Sequence, residues 1–337
     1  MRTPAFILVL TAVAAALYFT FNFVGNDYLF FAGYVVLQYI VLATAWNILG
    51  GYCGYVNFGS AGFFAIGVYT TIFFYTVGQK IDTLMPDWLI APMKLIFPLP
   101  LPVLIVLAGL VAGIVGLGMG YLTLRLRGVF FAIATLALTV VMETFIVNWS
   151  FVGGSRGAYV IPPNEVPIFG NYIHFLFALM LLLVVIALTS ARLIERSWLG
   201  VGFATIRDDE LAAEASGVPT LRLKLVATVV SGALMGMAGA PFPYYIGYVE
   251  PASAFNLSYA VNSIAMPMIG GTTSWVGPLV GALLLGTLQQ VATVTISSAV
   301  NLLIVGLLLI FFVIIAPRGI VGLYQDWFGK SRKGAKP

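Results

Sequence analysis

Ten long apolar runs constrain this chain more than any other feature of its sequence. A helix needs about 20 mainly apolar residues to cross a hydrocarbon core ~30 Å thick, because each residue adds roughly 1.5 Å. The runs lie near residues 4–24, 28–49, 55–77, 98–123, 128–149, 171–191, 225–247, 257–271, 277–296 and 299–316. They lack the alternation of barrel strands, so the sequence predicts an all-α integral membrane protein, a polytopic bundle of about ten transmembrane helices.

The eighth run leaves the number of spans open between ten and eight. Its fifteen residues, 257–271, reach only about 22 Å as a helix, and they contain Pro267 and end in Gly270-Gly271. A broken or half-inserted helix sheltered within the bundle is therefore one alternative. The first run has an alternative too, a cleaved signal peptide. Because its 21 residues exceed the 7–15 expected of a signal core, we retain it as a span.

The distribution of basic residues predicts the orientation. With Arg2 in the cytoplasm, three positive charges fall outside, Lys80, Lys94 and Arg156, and thirteen fall inside. The thirteen are Arg2, Arg125, Arg127, Arg192, Arg196, Arg207, Arg222, Lys224, Arg318, Lys330, Arg332, Lys333 and Lys336. Cytoplasmic loops carry such an excess of Lys and Arg. Both termini are predicted in the cytoplasm, and the net charge of +4 reflects topology rather than nucleic-acid binding.

Composition leaves little for enzymatic chemistry. Only 8% of the 337 residues are charged, against about 25% in a soluble domain. The single cysteine, Cys53, and the single histidine, His174, cannot form a disulfide, a cysteine cluster or a His-rich metal site, so no cofactor is expected. The chain has no G-x-x-x-x-G-K-[ST] phosphate loop, and Gly329-Lys330-Ser331 is only a near miss. Any ATP hydrolysis must belong to another polypeptide.

The longest polar stretch between spans, residues 192–224, contains a predicted short helix. Thr205 is the predicted N-cap, the acids that follow it suit the positive helix end, and Gly217 suits the C-terminal stop. Leu211, Ala212 and Ala215 give the helix a small apolar face. Such a helix can lie in a groove of a partner protein. A capped helix resting on the membrane surface is the alternative.

Several segments in this order resemble the LivM type of permease from ATP-binding-cassette importers of branched-chain amino acids. They are GYVNFG at 54–59, FFAIGVY at 63–69, LRLRGVFFAIATLAL at 124–138, IRDDELAAEASGV at 206–218, GG at 270–271, GPLVGA at 277–282 and PRG at 317–319. The resemblance covers about residues 30–322. It implies an importer-type fold in which 1–337 form a single permease domain, with a cytoplasmic coupling loop at 192–224 and a basic cytoplasmic tail at 318–337.

The resemblance also implies a function and partners. Expected partners are a second, LivH-like permease, two cytoplasmic ATP-binding subunits, an external substrate-binding protein and the lipid of the inner membrane. The expected cargo is a branched-chain or other apolar amino acid, with urea or short amides as the alternative. The coupling segment would comprise Arg207, Asp208, Asp209, Glu210, Leu211, Ala212, Ala213, Glu214, Ala215 and Gly217.

Interrupted helices and polar residues within spans mark a candidate translocation path. Glu143 is the single acid inside a predicted span, and a position at the membrane interface is its alternative. The glycines have close helix packing as an alternative explanation. Ser60 departs from the larger polar residue that the resemblance leads us to expect. The candidate path residues are Asn57, Ser60, Thr135, Glu143, Gly270 and Gly271.

Two other classes of membrane protein fit the sequence less well than the importer. A secondary carrier would need buried acids or histidines for ion coupling, and only Glu143 is available within a span. A structural subunit of a respiratory complex would need cofactor ligands or a proton relay. Neither class explains the polar helix of residues 206–218.

Overall fold

A computed structural model of the protein describes residues 3–84, 86–163, 165–166, 169–295, 303, 306–307, 310–311 and 319–323. The described part is a helical membrane protein, as the apolar runs predict. Most of the run at 299–316, most of the basic tail at 318–337, and Arg2 lie outside the described residues.

The described residues up to Val147 form seven α-helices and a π-helix at Ile48–Tyr52. The α-helices are α1 (Thr3–Val24), α2 (Asp27–Asn47), α3 (Ser60–Gln79), α4 (Ile81–Leu84), α5 (Asp87–Ile96), α6 (Leu101–Thr123) and α7 (Val129–Val147). Between α7 and α8 lie two 3₁₀ turns and three short strands. These are Ser150–Val152, Gly154–Arg156, β1 (Ala158–Tyr159), β2 (Glu165–Val166) and β3 (Gly170–Asn171).

Eight further helices and one strand follow within the described residues up to Thr295. They are α8 (Tyr172–Glu195), α9 (Trp198–Asp208), α10 (Glu210–Ala215), α11 (Thr220–Gly239), α12 (Phe242–Ile246), β4 (Tyr248–Val249), α13 (Pro251–Ala254), α14 (Leu257–Gly270) and α15 (Val276–Thr295). Strand β1 pairs antiparallel with β4, and β2 pairs antiparallel with β3.

Eight helical segments within the described residues are long and apolar enough to cross a membrane. They are Thr3–Val24, Asp27–Tyr52, Ser60–Gln79, Leu101–Thr123, Val129–Val147, Tyr172–Glu195, Thr220–Ile246 and Val276–Val294. Helix α14 has 14 residues, contains Pro267 and ends before Gly271, whose φ is +118°. The short eighth run is therefore a short helix, as its length predicted.

The chain folds into two compact units, each built from separate stretches of sequence. The first unit comprises Met1–Val56, Val184–Leu223 and Val261–Pro337. Here α2 packs along α15. Three glycines allow the backbone of α15 to approach the backbone of α14 and of Gly271 closely. A Cβ on Gly270, Gly277 or Gly281 would lie within 1.8 Å of the carbonyl oxygen of Gly277, Gly271 or Met266, respectively. Small residues of this kind hold helices together in lipid.

The second unit comprises Asn57–Leu183 and Lys224–Ala260. Helix α3 is central to it and packs against α6 and α7. A Cβ on Gly67 of α3 would lie 1.9 Å from the carbonyl oxygen of Gly236 of α11, so only glycine permits this approach. Buried Lys224, 3% exposed, donates from Nζ to the carbonyl oxygen of Leu124 at 3.1 Å, just beyond the end of α6. A cation is favourable at that helix end.

Candidate functional site

The polar helix predicted over 206–218 is two helices, α9 and α10, with a break at Asp209. Asp209 is extended, and its carboxylate accepts hydrogen bonds from the backbone N–H groups of Leu211 at 2.9 Å and Ala212 at 3.0 Å. The prediction of Thr205 as the N-cap is wrong. Its hydroxyl donates to the carbonyl oxygen of Gly202 within α9, whereas the short Asp209 side chain reaches the free amides of α10.

The predicted stop at Gly217 is confirmed. Gly217 has φ +84°, which a glycine adopts without strain, and its N–H donates to the Glu214 carbonyl at 3.0 Å. The N–H of Val218 donates to the Ala213 carbonyl, also at 3.0 Å, which completes a Schellman motif. The Thr220 hydroxyl hydrogen bonds the Glu214 carboxylate at 2.9 Å, so α10 is fastened to the start of α11.

Helix α10 turns one alanine inward and leaves the predicted apolar face exposed. Ala213 is 5% exposed, whereas Ala212 and Ala215 are on the surface and Leu211 is 63% exposed. Arg207 and Asp208, the polar residues before α10, are also accessible. They form an ion pair in which Nε of Arg207 lies 3.4 Å from Oδ1 of Asp208. The face of Leu211, Ala212 and Ala215 is therefore available for contact with another protein.

Two contacts attach α9 and α10 to the segment that follows the π-helix. The hydroxyl of buried Tyr55 donates a hydrogen bond to the Glu210 carboxylate. A Cβ on Gly54, whose φ is +80°, would lie 3.0 Å from Cγ of Arg207, so the Arg207 stem packs directly on this glycine. The surface helices and the segment at residues 54–55 are thus joined by a polar contact and a packing contact.

Glu195, at the end of α8, is a residue that the sequence did not single out. Its carboxylate accepts hydrogen bonds from the Trp275 N–H at 2.9 Å and from the Tyr52 hydroxyl at 3.3 Å. One turn earlier Arg192 is buried, with its guanidinium carbon 3.8 Å from the centre of the Phe6 ring. The sequence signal that could have identified Glu195 was a carboxylate directly after a long apolar run. The sequence alone predicts only the boundary of a loop there.

Three of the predicted path residues meet at the start of α3. The Asn57 amide oxygen accepts a hydrogen bond from the Gly59 N–H at 2.7 Å. The N–H of Phe58 donates to the Thr135 hydroxyl at 3.2 Å. Ser60, the first residue of α3, is 1% exposed. The structure therefore brings together Asn57, Ser60 and Thr135.

Glu143 extends this cluster along α7. Thr135, Thr139 and Glu143 are four residues apart and so lie on one helix face, over about 12 Å. Thr139 is buried, and a Cβ on Gly62 of α3 would lie 3.0 Å from its hydroxyl. Glu143 is half-buried. The translocation path predicted from the sequence omits Thr139. Its spacing of four residues from both Thr135 and Glu143 was the sequence signal that could have identified it.

The two remaining path candidates, Gly270 and Gly271, belong to the first unit. The local backbone requires glycine at both positions. Gly270 lies too close to Gly277 for a side chain, and Gly271 has a φ of +118°. The residue after them, Thr272, has its carbonyl oxygen 2.6 Å from the position of a Cβ on Gly51 of the π-helix. The segment after Gly270-Gly271 and the π-helix Ile48–Tyr52 therefore meet at this point.

Within the described residues, no group of three or more His, Cys, Asp or Glu side chains is arranged to hold a metal ion. Cys53 is buried and is not part of a disulfide. The polar groups of the candidate path are the hydroxyls of Ser60 and Thr135, the amide of Asn57 and the carboxylate of Glu143, which suit hydrogen bonding.

Comparison with known proteins gives matches over most of the chain. A family model described as branched-chain amino acid transport system / permease component matches residues 28–313. The high-affinity branched-chain amino acid transport system permease protein LivM of Escherichia coli (strain K12) is 27% identical over 327 residues, which covers 89% of this chain and 71% of that protein. A probable branched-chain amino acid transport permease protein LivH of Methanocaldococcus jannaschii is 26% identical over 242 residues, covering 68% and 75%. No solved structure matches significantly.

Proposed function

Because the chain belongs to the family of branched-chain amino acid transport system permease components, we propose that it carries branched-chain or other apolar amino acids across the membrane. It is a membrane-spanning permease subunit of an ATP-binding-cassette importer, and a transport subunit rather than an enzyme. It is a multi-pass protein of the inner membrane.

The proposed assembly pairs this subunit with a second, LivH-like permease, two cytoplasmic ATP-binding subunits and an external substrate-binding protein. The similarity of this chain to a LivH protein supports a partner of the same family. The absence of a phosphate-loop motif from its 337 residues supports a separate motor. Lipid would cover the outward apolar faces, and no nucleic acid is expected.

The exposed face of Leu211, Ala212 and Ala215 carries the proposal most directly. We assign the ATPase contact to the segment Arg207–Gly217, in which α10 is stopped at both ends and is bonded to Tyr55 through Glu210. A rigid helix with a flat small-residue face fits a groove on a partner. The Tyr55 and Gly54 contacts would transmit its displacement to the membrane segment.

We assign the path to the polar residues at the start of α3 and along α7, together with Gly270 and Gly271. The Thr135 hydroxyl accepts from the Phe58 N–H, and the Asn57 amide oxygen accepts from the Gly59 N–H, so backbone groups beside Ser60 link the two side chains. Glu143 continues the face of α7 that carries Thr135. Polar groups within a span are costly unless they serve a function, which supports this assignment.

The proposed topology keeps residues 1–337 as one permease domain with both termini in the cytoplasm. The cytoplasmic parts are the coupling loop at 192–224 and the basic tail at 318–337. The support is the excess of Lys and Arg in these segments.

Co-expression of the subunits and purification in mild detergent tests the proposal. We expect the ATP-binding subunits to co-elute, and proteoliposomes with the binding protein to take up labelled leucine only when ATP is inside. Uptake of urea in place of leucine would move the cargo to the short-amide class. A solitary chain that transports without ATP would be a secondary carrier and would contradict the proposal.

A further inference from the structure

Two buried polar side chains at the end of α2 have no hydrogen-bond partner within the described part of the chain. Asn47 is 1% exposed, and neither its amide oxygen nor its amide nitrogen makes a hydrogen bond. Thr44, three residues earlier and thus on the same helix face, is fully buried, and its hydroxyl makes none. Both lie within the membrane-spanning segment Asp27–Tyr52.

Among the described residues of the spans, Thr44 shares its lack of a partner with Thr189 of α8, whereas several other threonines are satisfied. Thr70, Thr123 and Thr139 each donate to the carbonyl oxygen four residues earlier, at 2.7, 2.8 and 3.1 Å. Such bonds satisfy a hydroxyl within the helix itself. The buried amide of Asn262 is also satisfied, because it accepts from Gln289 at 2.9 Å and donates to the Tyr39 hydroxyl at 3.3 Å. An unpaired polar group in lipid surroundings is destabilising, so Thr44 and Asn47 call for an explanation.

The surroundings of Asn47 place it beside the interrupted segments. The π-helix Ile48–Tyr52 follows it directly, and π-helical turns are frequent at functional sites. A Cβ on Gly51 would lie 1.9 Å from the Asn47 amide oxygen and 2.6 Å from the Thr272 carbonyl. The amide thus lies where the segment after Gly271 meets the π-helix. The Tyr52 hydroxyl is nearby, but it donates to Glu195 and forms no well-aligned bond with Asn47.

We propose that Asn47 and Thr44 form a neutral polar site for the charged backbone end of the amino acid cargo. This inference rests on the proposed function, since it names the contact by which that cargo is recognised. An amide offers both a donor and an acceptor, and a hydroxyl does the same, so the pair complements a carboxylate or an ammonium group. Neither residue carries a charge, which keeps binding weak enough for the cargo to leave, as a transport path requires.

Substitution of Asn47 by leucine, a side chain of similar shape, tests the site in the assembled importer. Since the amide has no partner, Asn47→Leu should leave the melting temperature unchanged or raised, while uptake of labelled leucine falls at least tenfold. The matched control is Asn262→Leu, which removes a satisfied buried amide and should lower the melting temperature. Thr44→Val should reduce uptake severalfold, whereas Thr44→Ser, which keeps the hydroxyl, should retain it.

Cargo preference separates a contact with the cargo from a structural role. Wild-type importer should take up leucine in preference to leucine amide or to the amine that lacks its carboxylate, and Asn47→Leu and Asn47→Ser should each reduce that preference severalfold. The inference is overturned if the preference is unchanged in both, or if both melt as far below wild type as Asn262→Leu. If the wild-type assembly imports no amino acid, the proposed function is contradicted instead. That result comes from the wild type and does not depend on any Asn47 variant, so the two failures can be distinguished.

Discussion

The hydroxyl of Tyr55 donates a hydrogen bond to the carboxylate of Glu210, which lies 155 positions further along the chain. Tyr55 follows the π-helix and is buried, whereas Glu210 is the first residue of α10. Beside this bond, Arg207 packs on Gly54. A displacement of α10 would therefore be passed to the segment at residues 54–55 by a directional bond as well as by packing.

Removing this bond should uncouple hydrolysis from transport. Tyr55→Phe and Glu210→Ala should each lower uptake per ATP hydrolysed by about tenfold, because a hydrogen bond to a charged group contributes about 1.5–3 kcal/mol. The double variant should be no worse than either single one, since both remove the same interaction. Uptake and phosphate release measured in one proteoliposome sample give the ratio. Tyr28→Phe, at an exposed tyrosine, is the control, and losses that add in the double variant contradict the coupling.

Filling the exposed face of α10 should weaken the ATPase contact. Ala212→Trp should overfill a docking groove, and overpacked contacts cost about 1–3 kcal/mol. The helix itself should persist, because tryptophan costs well under ~1 kcal/mol in helix propensity. We expect a folded subunit that co-elutes weakly with the ATPases or hydrolyses ATP without transport. Ala91→Trp, on the exposed side of α5, should be silent. Full ATPase association and transport by Ala212→Trp would remove α10 as a docking element.

Glu143 should influence transport without affecting assembly. Glu143→Gln keeps the size of the side chain but removes its charge from the face shared with Thr135 and Thr139. Uptake should change about tenfold while the yield of assembled complex stays constant. Thr144→Val, on the exposed side of the same helix, serves as the control. If both apparent affinity and maximal rate are unchanged, Glu143 is an interfacial residue and lies outside the path.

The orientation can be measured with single cysteines. Cys53 is buried, and Cys53→Ala provides a background without native thiols. Ser216→Cys and Ser331→Cys should resist an impermeant thiol reagent in intact cells, since both lie in segments predicted to be cytoplasmic. Ser155→Cys, in an exposed loop predicted outside, should react and so validates the reagent. Labelling of either cytoplasmic position in intact cells reverses the topology.

The approach of α3 to α11 should be intolerant of a single methyl group. Gly67→Ala places a Cβ 1.9 Å from the Gly236 carbonyl oxygen, so the helices must separate. Gly118→Ala, in α6 with no atom within 4 Å of its Cβ, gains helix propensity and should be neutral or slightly stabilising. We expect a melting temperature several degrees lower for Gly67→Ala alone, because ~1 kcal/mol corresponds to roughly 2–4 °C in domains of this order. Equal melting of the two variants would contradict the packing.

The membrane-spanning helices could be predicted because the bilayer leaves the backbone little choice. The apolar run predicted at 98–123 must satisfy its own amides, and it forms α6 from Leu101 onward. The end of α10 at Gly217 could be predicted for an equally local reason. The residue after a helix often has a left-handed backbone conformation, which glycine adopts most easily. The break at Asp209 was not predicted, because Thr205 and Asp209 are both good caps. Only the folded chain shows which one meets free amides.

The contacts that join distant segments could not be derived from the sequence. Glu195 bonds to Tyr52 across 143 positions and to Trp275 across 80. No periodicity or motif relates these residues, and their pairing depends on how the helices pack. Asn47 is the opposite case, since what distinguishes it is the lack of a partner. A polar residue near a helix end looks ordinary until its burial is known.

The contact of Gly67 with Gly236 also has a consequence for biosynthesis. The two glycines are separated by about 170 residues, which a ribosome adding roughly 5–20 residues per second needs on the order of 10 to 30 seconds to make. During that interval α3 is already in the bilayer, and lipid tails occupy the space beside Gly67 that α11 later fills. The second unit can therefore assemble only after α11 has entered the membrane, and until then the nascent subunit presents the surface around Gly67 to membrane chaperones and proteases.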